Sequence, residues 1–151
     1  MTPPLDPVVR TRWLTALRSG DYRQGVGYLG YRDGAGDLAF CCLGVLCELA
    51  VDAGVVARHD VDGRFYYGDA TDGPLDPDTT HVDVYDTDLP PVVREWAGLR
   101  PEDANPVLDD VADVGDVSMV DLNDGASAAP GIRAVEPRSF DEIADLIERY
   151  M

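Results

Sequence analysis

The chain has no lysine: all 12 of its basic residues are arginine. Against them stand 23 Asp and 6 Glu, for a formal net charge of −17. A nucleic-acid binder needs a basic face to neutralise phosphates, so this balance argues against that class. It argues equally against adsorption to an anionic membrane surface. Long apolar runs are also missing. No stretch approaches the ~20 residues that a bilayer-spanning helix needs. The opening Met1-Thr2-Pro3-Pro4 carries neither the basic nor the apolar part of a secretory signal. The expectation is a soluble protein of the cytoplasm. Cysteines are few and oddly placed: Cys41, Cys42 and Cys47 are the only three, and they crowd into seven residues. That is no disulfide framework, and reduced thiols are the simpler reading.

What is present suits one domain. The 151 residues are 45% apolar, enough for a real core. The charge is uneven along the chain. Residues 1–58 hold six Arg and six acids and are neutral, residues 59–124 hold 18 acids and three Arg for a net −15, and residues 125–151 add −2. The sequence therefore predicts a neutral helical core over 1–58, an acidic strand-and-loop region over 59–124 and a C-terminal helix over 139–150.

Local signals place the elements. Asp6-Pro7 reads as N-cap and first residue of a helix, with Val9, Trp13, Ala16 and Leu17 on one stripe and Ser19-Gly20 at its end. Leu38 to Ala53 is apolar almost all round and predicts a helix in the middle of the domain, capped by Asp37 and closed by Gly54. Gly44 within it suggests a close approach of another helix. Val61–Gly68 and Thr79–Tyr85 predict strands, and Asp69–Asp78 a loop. Pro90-Pro91 starts a short helix over 92–97, with Trp96 facing inward and Gly98 at its end. A turn of helix over 107–111, a third strand over 117–122 and a loop over 126–137 follow. Ser139-Phe140-Asp141-Glu142 is a capping box that opens the last helix. The fold class expected is α+β: about four helices around the central Cys-rich one, with a small antiparallel sheet of two or three short strands.

Several blocks together carry a family resemblance. They are Trp13-x-x-Ala16-Leu17-Arg18-Ser19-Gly20-x-Tyr22-x-Gln24-Gly25 and Phe40-Cys41-Cys42-Leu43-Gly44-Val45-Leu46-Cys47-Glu48-Leu49-Ala50. To these add Leu89-Pro90, Trp96-x-Gly98-Leu99, Asn105-Pro106, Leu122-Asn123-Asp124-Gly125 and Ser139-Phe140-x-Glu142-Ile143-Ala144-Asp145-Leu146-Ile147. In these the chain resembles a group of short, uncharacterised proteins of tailed bacteriophages and prophages, many actinobacterial. It departs from them in its acidic middle and in the segment 126–138. The resemblance implies a phage-type accessory protein working in the cytoplasm of a bacterial host. It carries over no catalytic residue.

Five readings compete for the polar residues. The order Gln24, Cys42, His81, then Asn105 or Asn123, resembles that of papain-like hydrolases: oxyanion donor, nucleophile, base and orienting residue. Core packing of the cysteines is the simpler reading. Zinc is disfavoured because Cys41, Cys42 and Cys47 do not share a helix face. Asp60-x-Asp62-Gly63, Asp76-x-Asp78 and Asp109-Asp110-x-x-Asp113-x-x-Asp116 offer hard oxygens for calcium, but no closing Glu completes a loop. A solvated acidic surface accounts for them more simply, and no metal or other cofactor is expected. Arg18, Arg23 and Arg32, with Tyr22, Gln24, Tyr28 and Tyr31, suggest a pocket that sequesters a nucleotide signal. The bland alternative pairs these arginines with Asp21, Asp33 and Asp37. Finally, the acidic middle suggests a surface for a basic protein of host or phage. Binding through that surface, rather than catalysis, is the leading expectation, with self-association left open.

Overall fold

The computed structural model describes residues 5–68, 84–112, 114–130 and 134–151. The chain is α+β. Its described elements are five helices, an antiparallel five-stranded sheet and a separate two-stranded hairpin.

Helix α1 spans Pro7–Arg18. Asp6 Oδ1 accepts from Val8 N at 2.9 Å and Val9 N at 3.1 Å, which satisfies donors that the first helical turn leaves free. Val9, Trp13, Leu14, Ala16 and Leu17 form its buried side. Trp13 Nε1 donates to Cys42 O at 2.9 Å, tying α1 to the central helix.

Helix α2 is that central element, but it starts later than its apolar run. It spans Cys42–Asp52, and Leu38–Phe40 is strand β2, paired antiparallel to β1 (Gly30–Arg32). Two neighbours claim the backbone of this stretch. β1 pairs along it, and the Arg23–Gly25 segment also bonds Phe40, through Gly25 N to Phe40 O at 2.7 Å and Phe40 N to Arg23 O at 2.8 Å. The cap is therefore Cys41, in extended conformation, whose sulfur accepts from Gly44 N at 3.4 Å. Asp37, the expected cap, instead closes the β1–β2 turn, its carbonyl accepting from Asp33 N at 2.9 Å. α2 is buried on nearly every side, with α1, α3 and α4 packed against it. The close approach at Gly44 is made not by a helix, as expected, but by the backbone just before β1: a Cβ there would lie 1.7 Å from Leu29 O, so only glycine fits.

The sequence predicts one strand over 61–68, and the structure has a hairpin. β3 (Ala57–Val61) and β4 (Arg64–Gly68) pair across Asp62-Gly63, with φ values of 54° and 88°. Two consecutive positive φ values are the mark of the hairpin turn whose twist suits the flanking strands. The sheet runs β2-β1-β4-β3. β5 (Val84–Tyr85) also pairs with β4, through Tyr67↔Tyr85 and Gly68↔Val84, while β1 meets it at Tyr31↔Arg64. The part of the expected strand before residue 84 lies outside the described residues.

Helix α3 (Pro91–Ala97) ends as expected at Gly98, φ 81°. Val93 and Ala97 are its buried residues, and Trp96 packs against the core while staying half-buried. β6 (Val107–Val111) and β7 (Gly115–Ser118) form the second hairpin where the sequence suggests a helical turn. Leu108 and Val117 face each other in the core, while Val107 is exposed. The expected strand over 117–122 is cut short because Ser118 caps helix α4 (Met119–Asp124), its hydroxyl accepting from Asp121 N at 3.1 Å. Helix α5 (Phe140–Tyr150) opens on the capping box of Ser139 and Glu142. Its inner stripe, Phe140, Ile143, Ala144 and Ile147, is buried, and it packs on α1, β6 and α4. One apolar cluster draws residues from all five helices, from β2 and β4 and from the second hairpin.

Candidate functional site

The N-terminus of α2 is where the expected site residues meet. Gln24 Nε2 donates to Asn123 Oδ1 at 3.0 Å and to Arg138 O at 2.7 Å. The same Asn123 oxygen accepts from Cys42 N at 3.1 Å, one of the donors that the first turn of a helix leaves free. Asn123 Nδ2 donates to Gly25 O and to Asp124 Oδ1, both at 2.7 Å. Asn123 is 1% exposed, the one polar residue buried to that degree among the described residues. So Gln24, Cys42 and Asn123 come together from separate parts of the chain, as the sequence order suggests.

Their chemistry is that of a structural joint. Both N–H donors of the Gln24 amide and both of the Asn123 amide are used internally, which leaves neither for an oxyanion. Cys42 is wholly buried, and its Sγ lies 3.5 Å from Met119 O, so the thiol donates there. Burial pushes the Cys42 and Cys47 thiols well above their ordinary pKa, and the same cause pushes Cys41 up to about 12. A neutral buried thiol is a core hydrophobe rather than a nucleophile. The hydrolase roles given to Cys42, Gln24 and Asn123 are corrected accordingly, and the expected base, His81, lies outside the described residues. Asn105, the other expected orienting residue, accepts from Val120 N at 3.1 Å.

Beside this joint is a cleft of about 110 Å³, lined among others by Tyr28, Cys41, Asp88, Asn105, Val120 and Asp124. That is room for a few waters or one small polar group. Asp124 is already engaged, its Oδ2 accepting from Gly27 N at 3.1 Å and its Oδ1 from Asn123.

The residues expected to bind a nucleotide are taken up in separate contacts of the fold. Arg18 reaches across to α5, with Asp145 at 2.7 Å and Glu148 at 2.6 Å. Arg23 pairs with Asp33, with Asp37 at 3.9 Å. Arg32 pairs with Asp60 at 2.8 Å. The carboxylates hold the Arg18 and Arg23 guanidinium groups above their usual range, and Arg23 and Arg32 hold Asp33 and Asp60 below theirs. Tyr28 carries the Arg64 guanidinium 4.0 Å above its ring and accepts from its Nη2 at 2.8 Å. Tyr22 meets Phe40 edge-on, 5.7 Å between centroids. Gln24 is held in the joint already described. Each of the three arginines already has a carboxylate partner.

The calcium candidates fare similarly. Asp60 Oδ1 accepts from Gly63 N at 3.0 Å inside the β3–β4 turn, so Asp60-x-Asp62-Gly63 is hairpin chemistry. Asp76 and Asp78 lie outside the described residues. Asp116 Oδ1 accepts from Asp110 N at 2.9 Å, bridging the second hairpin where Asp110 takes φ 53°. Among the described residues no group of three His, Cys, Asp or Glu side chains is placed to hold a metal ion.

Sequence reasoning misses one charged cluster. Glu48, the single acid within the apolar part of α2, accepts from Arg58 Nη1 at 2.6 Å and from Tyr67 OH at 2.9 Å. Burial nevertheless pushes its carboxyl above the ordinary range. A lone charge inside an apolar run is the available signal, since such a group must find partners when buried.

The family comparison adds one fact. Residues 5–151 match the family model described as Domain of unknown function (DUF8296). The chain belongs to this family. Neither the curated proteins nor the solved structures contain a match to it. The DUF8296 description names no reaction, so the chemistry rests on the residues themselves.

Proposed function

We propose that the chain acts by binding rather than by catalysis, and that residues 84–124 offer the acidic surface that receives a basic protein. The observation that carries this reading is the distribution of ion pairs. Arginines meet acids around the first sheet, on α2 and on α5: Asp33, Asp37, Glu48, Asp60, Glu142, Asp145 and Glu148 each lie in such a pair, as does Asp86 with Arg64 at 3.4 Å. Residues 84–124 hold eleven acids against Arg94 and Arg100 alone. Arg94 turns inward onto the carbonyls of Leu89 and Pro101, while Asp88, Glu95, Glu102, Asp110 and Asp116 are exposed. A surface of one sign steers a partner of the other and raises its association rate. The buried thiols and the internally satisfied Gln24 and Asn123 agree with a scaffold more than with a reaction centre. The resemblance to short phage proteins suggests that the partner belongs to a bacterial host or to the phage.

The test is a comparison of the wild type with a variant in which Asp88, Asp110 and Asp116 are changed to Asn. The basic proteins of a bacterial lysate, fractionated on a cation exchanger, are passed over each at low and high salt. The expected result is a protein retained by the wild type that is lost by the variant, and lost as salt rises from about 0.05 M to about 0.5 M and the screening length shrinks. Retention that ignores both changes, or no retention at all, overturns the reading.

A further inference from the structure

Where α5 meets the turn of the second hairpin there is a groove of about 290 Å³, lined by Val111, Arg138, Glu142, Asp145, Leu146 and Arg149. Two arginines face two carboxylates on this groove, in a chain that carries 29 acids and 12 bases. The two carboxylates are already engaged. Glu142 Oε1 accepts from Ser139 N at 3.2 Å and from Ser139 Oγ at 3.1 Å, as the return half of the capping box. Asp145 Oδ1 accepts from Arg18 Nη2 at 2.7 Å. The arginines have weaker commitments. Arg138 Nη1 stands 3.5 Å from Glu142 Oε2, and its Nε is buried with no acceptor, the single such side-chain atom found among the described residues. Arg149 lies with its Cζ 5.4 Å from the ring centroid of Tyr150.

The unmet hydrogen-bonding capacity of the groove is therefore donor capacity. A buried N–H without an acceptor is a penalty that native structures rarely leave standing. The Nε edge of a guanidinium presents parallel N–H groups that match the two oxygens of a carboxylate or phosphate. We infer that the groove binds a small oxyanion, a carboxylate or a phosphate group, gripped by Arg138 with Arg149 as the second cation. Val111 and Leu146 supply its apolar lining. The inference is independent of the acidic-surface reading, because it concerns unmet arginine donors and an anion.

The test uses the full 15N-labelled chain and reads the arginine Nε–H resonances by NMR. Inorganic phosphate and, separately, acetate are titrated in, with ionic strength held constant by sodium chloride. The expected result is that the Arg138 and Arg149 signals move together and saturate with one apparent constant, while the exposed Arg12 does not move. Arg138→Lys keeps the charge but loses the fork, so it weakens binding by about tenfold or more. Arg12→Lys leaves it unchanged. Saturation by phosphate only, by acetate only or by both supports the site and names the source of the oxyanion. Linear shifts without saturation, equal shifts at Arg12, or the same response to chloride alone overturn it. Because the titration is read first on the wild type, a lysine variant that fails to fold leaves the test intact.

Discussion

Two parts of this molecule solve the charge problem in opposite ways. In the first, residues 5–68 with α5 packed alongside, arginine and carboxylate alternate and close on one another. Arg18 spans from α1 to α5, Arg32 from β1 to β3, and Arg58 from β3 to α2. In the second, residues 84–124, eleven acids stand against two arginines of the same segment, one of them turned onto backbone carbonyls, and Asp86 reaches Arg64 of the first part. Both parts feed the same apolar core. The difference is therefore not one of folded against unfolded chain. One part uses charge as internal fastening, and the other leaves it facing solvent. Surface pairs contribute little to stability individually, so the first pattern fixes geometry more than it adds free energy.

The strongest test of that contrast is the joint where the two parts meet. Asn123 belongs to α4 in the acidic part, yet its partners Gln24, Gly25 and Cys42 belong to the neutral one. Asn123→Ala removes the acceptor for two donors and the donor for two acceptors, all at the buried start of α2. The expected loss is about 3 kcal/mol, from several polar groups left unsatisfied at once. Equilibrium unfolding in denaturant measures it. A loss below about 1 kcal/mol would show that water replaces the side chain easily and that the joint does not couple the two parts.

The joint also shows how far sequence reasoning reaches. Elements set by neighbours within four residues are legible: the Asp6-Pro7 start of α1, the Gly98 stop of α3 and the capping box of α5. The apolar stripe of α1 and the closeness enforced by Gly44 are legible too, since residue type and spacing carry them. Leu38–Phe40 is not, because its strand character comes from β1 and from Arg23–Gly25, partners that an apolar run cannot announce. The β3–β4 hairpin carries its Asp62-Gly63 signal in plain view, but the aromatic run after it masks the break. β6 reads as a turn of helix since Asp109 and Asp110 interrupt its alternation, and only its pairing with β7, which sets Leu108 opposite Val117, makes it a strand. For the candidate site, the residue types can be read and their roles cannot. Gln24, Cys42 and Asn123 do meet, but which hydrogen bonds they make depends on Arg138 O, Gly25 O and Met119 O, and backbone carbonyls leave no mark in a list of residue types.

Within the neutral part, Glu48 gives the next largest effect and a pH dependence of its own. Its side chain is 14% exposed and bonded to Arg58 and Tyr67. Glu48→Ala strands both partners and should cost about 2 kcal/mol at neutral pH, less than a fully buried pair because Arg58 keeps some solvent. The sign with pH follows from burial, which raises this carboxyl above its ordinary value of 4.5 in the folded chain. A group whose folded pKa is raised contributes fully below its unfolded pKa and loses that contribution as pH rises through the folded one. Asp33, Asp60 and Glu142 work the other way: their folded values are lowered by Arg23, Arg32 and the Ser139 cap, so their contribution is lost only as pH falls through them. Stability should therefore decline from 4.5 upward through the Glu48 titration, and again on strong acidification. Glu48→Gln should flatten the first slope and leave the second. An unchanged upper slope in that variant would assign it to other groups.

The smallest effect is expected where the charge is greatest. Changing Asp88, Asp110 and Asp116 together to Asn removes three exposed charges from the acidic part, and Asp116→Asn keeps a side-chain oxygen that can accept from the residue 110 amide. If these acids were structural, their loss would resemble that of Glu48. If they face solvent for a partner, stability should move by no more than about 0.5 kcal/mol. The direction should be toward greater stability, because like charges that repel one another in the compact state are relieved. Thermal unfolding at low and high salt separates the cases: the gain should be largest at low salt and vanish as screening replaces neutralisation. A clear loss of stability that persists at high salt would mean that the acidic part is fastened by its carboxylates after all, and the contrast between the two parts would fail.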